Sequence, residues 1–167
     1  MNSRTQKLAL RAMLIAVAFV LSWLESMIPT FIAVPGVKLG LTNLVVLLAL
    51  YCLSWQDALA INLIRIILVG LTFGNLFSLW YSMAGGMLSC LGMILLKKCL
   101  HARLVTISIA GGLLHNLGQL LVAVFVLDTP SLFYYLVVLW IAGAIAGTII
   151  GLICVPVVSR IHIQQDN

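Results

Sequence analysis

Charge is what this chain has least of, acid above all. Glu25, Asp57, Asp128 and Asp166 are its only acidic side chains, and charged residues fill 8% of 167 positions against 63% for hydrophobic ones. A soluble domain carries roughly 25% charge. With a mean hydropathy of +1.23, a chain this long has no core large enough to hide its apolar surface, so the bilayer must be its solvent. Scarce acid also removes most metal-assisted chemistry. There is no D-D-x-x-D pair to hold magnesium against a diphosphate, no H-E-x-x-H and no G-x-S-x-G. The G-x-x-x-x-G-K-[ST] loop of ATP hydrolysis is missing too. A self-contained enzyme is not expected, nor a cofactor or metal site. Cys52, Cys90, Cys99 and Cys154 stand singly, without C-x-x-C or a His at metal spacing, and read as small apolar residues.

What the chain does have is a series of apolar runs, at about 8–28, 41–53, 58–73, 76–96, 104–127 and 132–158. They predict an all-α integral membrane protein with six transmembrane helices, a single membrane domain over residues 1–167. The first run follows Arg4, Lys7 and Arg11 as a signal peptide would, but no A-x-A pattern follows Trp23-Leu24-Glu25, so a retained helix is expected. The second and third runs fall short of the ~20 residues of a straight span. Charge alone leaves open whether they cross or dip in and return. Asp57 between them favours crossing, because a carboxylate left in hydrocarbon costs ~2.5–3.5 kcal/mol.

Six crossings with both termini in the cytoplasm put seven of the nine basic residues on the cytoplasmic side of the cell membrane. Lys38 and Arg65 are the exceptions. Small residues mark where helices approach closely. Gly143, Gly147 and Gly151 form a ridge on the last span, and Ser82, Gly85, Gly86 and Ser89 line one face of the fourth; internal packing is expected for both. Ala9, Ala12 and Ala16 form a third ridge, which either packs internally as well or, from its place on the first span, meets a partner subunit.

Polar groups in the spans are the candidate site. Arg65 has Asn62 one turn before it. It is either half of a structural ion pair with Glu25 or a ligand for an anion. Helical spacing puts Gly112, His115, Asn116 and Gln119 on one stripe, to line a ligand site or to bond neighbouring helices. Between the first two spans, Pro35-Gly36 is turn chemistry, Gly40 allows close backbone approach, and Thr42-Asn43 can cap the next helix. Lys38 stands just before that helix start; the stretch is either a connecting loop whose Lys38 points into water or, with the free N–H groups of the helix start, a place that welcomes an anion. Glu25, Asn43, Arg65, Asn75 and Gln119 all fall in the outer half or near the midplane. We expect an externally open cavity that takes an anionic head. Trp23, Phe31, Phe73, Trp80 and Tyr81 are either its apolar walls or interfacial aromatics.

Glu25-Ser26-x-Ile28-Pro29, Pro35-Gly36-x-Lys38-Leu39-Gly40-Leu41-x-Asn43, Arg65, Ser82-x-x-Gly85-Gly86-x-x-Ser89 and His115-Asn116-x-Gly118-Gln119 resemble, in order and spacing, the Gx transporter family. That family is also labelled heptaprenyl diphosphate synthase component I. Trp80-Tyr81 just before Ser82 departs from its pattern. The family is similar to the six-helix S components of energy-coupling-factor transporters. The resemblance implies an ordered outer loop that occludes the substrate, with Pro35, Gly36 and Gly40 in the gate. It also implies docking on a transmembrane T subunit and two ATPases through an A-x-x-x-A ridge, matched by Ala12-Met13-Leu14-Ile15-Ala16. The expected function is substrate capture for uptake of a small anionic or isoprenoid-linked molecule, with no nucleic-acid partner. The alternative is a non-catalytic membrane accessory subunit of prenyl diphosphate synthesis.

Overall fold

The computed structural model describes residues 3–27 and 40–165, all helix, turn or short connection. The segment expected to order the outer loop, with Phe31, Pro35, Gly36 and Lys38, lies outside the described residues. Six α-helices form a bundle, with no strand among the described residues. They are α1 (Ser3–Met27), α2 (Asn43–Cys52), α3 (Trp55–Thr72), α4 (Leu76–Cys99), α5 (Leu104–Leu127) and α6 (Leu136–Gln165). A 3-10 segment at Pro130–Tyr135 replaces the expected start of the sixth span. Pro130 suits the first position of such a turn, where its missing N–H is not needed.

Five helices are long and apolar enough to cross a membrane; α2 is not. Its 10 residues make about 15 Å of helix, half the ~30 Å hydrocarbon thickness. The six-helix expectation holds, but the second helix is a half-length element. It is packed on nearly every side, with Val45, Val46, Leu47, Ala49 and Leu50 all buried.

Local chemistry sets the other helix ends. Ser54 caps α3 by accepting from the Asp57 N–H at 3.1 Å, and its hydroxyl donates to Asp57 Oδ2 at 2.9 Å. Asn75 caps α4 by accepting from the Ser78 N–H at 2.7 Å. On α1 the buried stripe is Leu14, Ala18, Ser22 and Glu25, spaced at i+4, i+4 and i+3 as a helix face requires. Ala9, Ala12 and Ala16 lie on the opposite, exposed side.

One end of the bundle is tied by charge. Arg11 on α1 meets Asp57 on α3, Nε to Oδ1 at 2.9 Å and Nη2 to Oδ2 at 3.2 Å. Lys97 on α4 donates to the Leu50 carbonyl near the end of α2 at 2.6 Å and lies 4.2 Å above the Tyr51 ring. Lys98 stacks on Trp55 at 3.9 Å.

The glycine ridge of α6 packs inside the bundle. Gly143 lies backbone to backbone against Gly112 of α5, and a Cβ on Gly147 would stand 2.6 Å from Ile109 Cα and 2.7 Å from the Ser108 carbonyl. Gly147→Leu must therefore push α5 and α6 apart. We expect a loss of at least ~1–3 kcal/mol, measured as a fall in thermal unfolding temperature in detergent. Ile149→Ala, at a site 53% exposed, should stay within ~0.5 kcal/mol of the parent. Lys97→Met removes a charged donor from a helix-end carbonyl and should cost ~1.5–3 kcal/mol by the same measurement.

Candidate functional site

Counted along each helix at 1.5 Å per residue, Asn62 and Arg65 lie about 10–15 Å from the start of α3, with Arg65 midway along it. His115, Asn116 and Gln119 lie about 16–22 Å from the start of α5, and Gly86 about 20 Å from the end of α4. The buried polar residues are thus well inside the helices, away from the Arg11–Lys97 end.

Arg65 is 3% exposed. Its Nε and Nη2 both donate to Asn62 Oδ1, at 3.2 and 2.9 Å, and Asn62 Nδ2 donates in turn to the Gly86 carbonyl at 3.0 Å. The guanidinium comes close to α4 where residue 86 has no side chain. A Cβ there would be 3.1 Å from Arg65 Nη2 and 3.2 Å from Asn62 Oδ1. Next door, Gly85 faces the other way, toward the His115 ring and Gln119. His115 Nε2 and Gln119 Nε2 share a hydrogen bond at 3.0 Å. The Gly85-Gly86 pair of α4 thus brings α3 and α5 side chains to its two flanks.

The start of α2 closes the cluster. Gly40 holds φ +79°, a left-handed conformation that costs glycine little. Its Cβ position is 3.1 Å from His115 Cδ2 and 3.2 Å from Asn43 Nδ2. Asn43 Nδ2 reaches the Gly111 carbonyl at 3.5 Å. Glu25 Oε1 accepts from the Gly40 N–H and, at 3.2 Å, from the Leu41 N–H. A carboxylate thus meets the positive end of the α2 dipole. Glu25 and Arg65 feel each other's charge. Among the described residues, however, the ion pair within 4.0 Å is Arg11–Asp57. The expected direct Glu25–Arg65 pair is replaced by a carboxylate on backbone N–H groups and a guanidinium on an amide.

The structure therefore brings together Glu25, Gly40, Asn43, Asn62, Arg65, His115 and Gln119. It places two others elsewhere. Asn116 points from α5 to α6 and donates to the Leu139 carbonyl at 2.6 Å. Asn75 is an exposed helix cap. The aromatics divide as well. Trp23 and Trp80 face outward, at 43% and 57% exposed, whereas Tyr81 is buried against Leu120, Ala123 and Leu139. Phe73 pairs edge-on with Phe19 at 5.2 Å. Trp80 instead borders an apolar groove of about 580 Å³ between α4 and α5, with Ala84, Leu88, Leu121 and Phe125. That groove lies on the outer, lipid-facing surface. Sequence reasoning passed over Ser22, one turn before Glu25 and buried beside it; the Ser-x-x-Glu spacing was the available signal. The hydroxyls of Ser22, Thr42 and Ser89 and the Asn116 amide oxygen are buried without a hydrogen-bond partner.

No curated protein and no solved structure matches this chain. The family model described as heptaprenyl diphosphate synthase component I matches residues 14–156, a stretch that reaches from α1 to α6 and takes in the whole polar cluster. The chain belongs to the heptaprenyl diphosphate synthase component I family.

Proposed function

We propose that this protein is the substrate-binding subunit of a membrane uptake system, S-component-like, for a small anionic or isoprenoid-linked molecule. Separate ATPase and T subunits would supply the energy. The observation that carries this reading is Arg65. It is a guanidinium midway along α3, 3% exposed, bonded to a neutral amide, with no carboxylate within 4.0 Å among the described residues. A buried charge lacking a close counter-ion costs several kcal/mol. A ligand anion would offset that cost, and the N-terminus of α2 beside it adds favourable partial charge.

Two further features support it. The Ala9, Ala12 and Ala16 ridge is exposed along α1, open to a partner helix. The positive-inside rule places the Arg11–Asp57 and Lys97 end in the cytoplasm, with both termini. The polar cluster then lies deep in the bilayer, away from that face. His115 and Gln119 would bond the ligand, and Lys38 with Pro35 and Gly36 would belong to the gate.

The second reading is a non-catalytic membrane subunit of prenyl diphosphate synthesis, favoured by the description of the family. Arg65 would then hold a diphosphate, while the magnesium-binding acids that this sequence lacks would come from another chain.

Pull-down and native mass spectrometry of the membrane-extracted protein separate the two. We expect co-purification of a T-type membrane subunit and ATPases, lost in the Ala12→Leu/Ala16→Leu double variant, and a retained small anion lost in Arg65→Ala. Capture of a soluble prenyl synthase subunit in place of ATPases would favour the second reading. Retention of the same anion by Arg65→Ala would sink the site in either reading.

A further inference from the structure

We infer that Glu25 is a tethered stand-in for the ligand's anionic group. Its carboxylate holds the N–H groups of Gly40 and Leu41 until an oxyanion takes them over, and the exchange unties α1 from α2. This rests on the anion-binding reading of Arg65 above and adds how the ligand would be sensed.

The cap on α2 comes from another helix although its own sequence could supply one. Thr42 stands at the cap position with helical angles, φ −65° and ψ −16°, and makes no side-chain capping bond. Its hydroxyl is fully buried and unpartnered. Ser22, on the same face of α1 as Glu25 and one turn away, also has a buried hydroxyl without a partner. Buried hydroxyls are ordinarily satisfied. Thr42 follows directly on the two N–H donors, Gly40 and Leu41, and Ser22 precedes Glu25 by one turn on the same face of α1. Among the described residues the start of α2 thus has backbone N–H groups with neighbouring hydroxyls, all able to donate to an oxyanion, and the Glu25 carboxylate holds the N–H groups.

The carboxylate is mounted on the least buried of the five membrane-length helices. Besides the buried Leu14 and Ala18 and the Phe19–Phe73 contact, α1 is tied by Glu25 at the α2 end and, at the other end, by the Arg11–Asp57 pair, whose arginine side chain is 44% exposed. Replacing Glu25 on the N–H groups by a ligand anion keeps the α2 dipole satisfied and releases that end of α1.

The test uses the full chain, 15N-labelled, in maltoside micelles free of lipid phosphate, titrated with inorganic diphosphate. We expect the Gly40 and Leu41 amide resonances to move on saturation, together with those of Ser22 and Glu25. Glu25→Gln keeps an acceptor for both N–H groups but loses the competing charge, and should bind diphosphate roughly tenfold tighter than the parent. Adding phosphatidylglycerol in place of diphosphate distinguishes a lipid headgroup from a free anion; movement of the same resonances supports the exchange and assigns its source. If neither oxyanion moves the Gly40 and Leu41 resonances of the parent, the inference is overturned, whatever the variants do. Binding that is lost in Arg65→Ala but equal or weaker in Glu25→Gln overturns the exchange and leaves the anion site standing. Undiminished binding in Arg65→Ala would instead remove the underlying reading.

Discussion

A helix half as long as its neighbours has to end inside the bundle, and α2 does so at its N-terminus. Helix ends leave backbone N–H and C=O groups without partners, and in lipid no water supplies them. The dipole adds partial positive charge at the start and negative charge at the finish. Both ends of α2 are met by charges of the complementary sign from other helices: Glu25 of α1 at Gly40 and Leu41, Lys97 of α4 at Leu50. These two contacts let an apolar ten-residue helix sit between full-length ones. They also fix where the chain entering α2 lies, and so bring Gly40, Thr42 and Asn43 to the level of Arg65 and His115.

The remaining polar groups reach one another because glycine lets backbones come close. Asn62 bonds the Gly86 carbonyl, Asn43 the Gly111 carbonyl and Asn116 the Leu139 carbonyl, each across a helix boundary. In every case a side-chain amide serves a neighbouring helix whose carbonyl already has its own intrahelical donor. That is the economical way to bury an amide in hydrocarbon, and it converts a polar stripe into packing. Arg65 does not fit the pattern, since its hydrogen bonds go to an amide oxygen and not to a carboxylate or a neighbouring helix's carbonyl. A cation bonded to a neutral amide is thereby set apart from the amides that hold helices together.

The helices were legible as apolar runs, and α5 begins and ends where the run from 104 to 127 does. The shortness of the second run was visible too. Its consequence was not, because nothing in a periodic pattern says which foreign side chains will meet a helix end. The same limit applies to Glu25 and Arg65. Composition makes them obvious partners, but whether two charges touch is decided by contacts 40 residues apart in the chain. The stripe on the fifth span divides for a local reason. Consecutive residues on a helix point about 100° apart, so His115 can face α4 while Asn116 faces α6. Trp23 and Trp80 show why aromatics near span ends are ambiguous: the same residues suit a cavity wall or an outer surface, and here they face outward.

The outer face of α1 bears on how such a bundle would work with others. The alanine ridge is exposed among the described residues, so larger side chains there would cover more apolar surface than alanine does. Small residues gain an advantage where another backbone must come near. The same helix carries Glu25 on its inner face, against the start of α2, and Arg11 at its basic end, against Asp57. An exposed ion pair of that kind is worth about 0–1 kcal/mol, so the buried carboxylate is the stronger of the two ties. A partner docked on the ridge and an anion at α2 would therefore act on one rigid rod, from opposite sides. Their effects are coupled to the extent that moving the rod breaks the Glu25 contact.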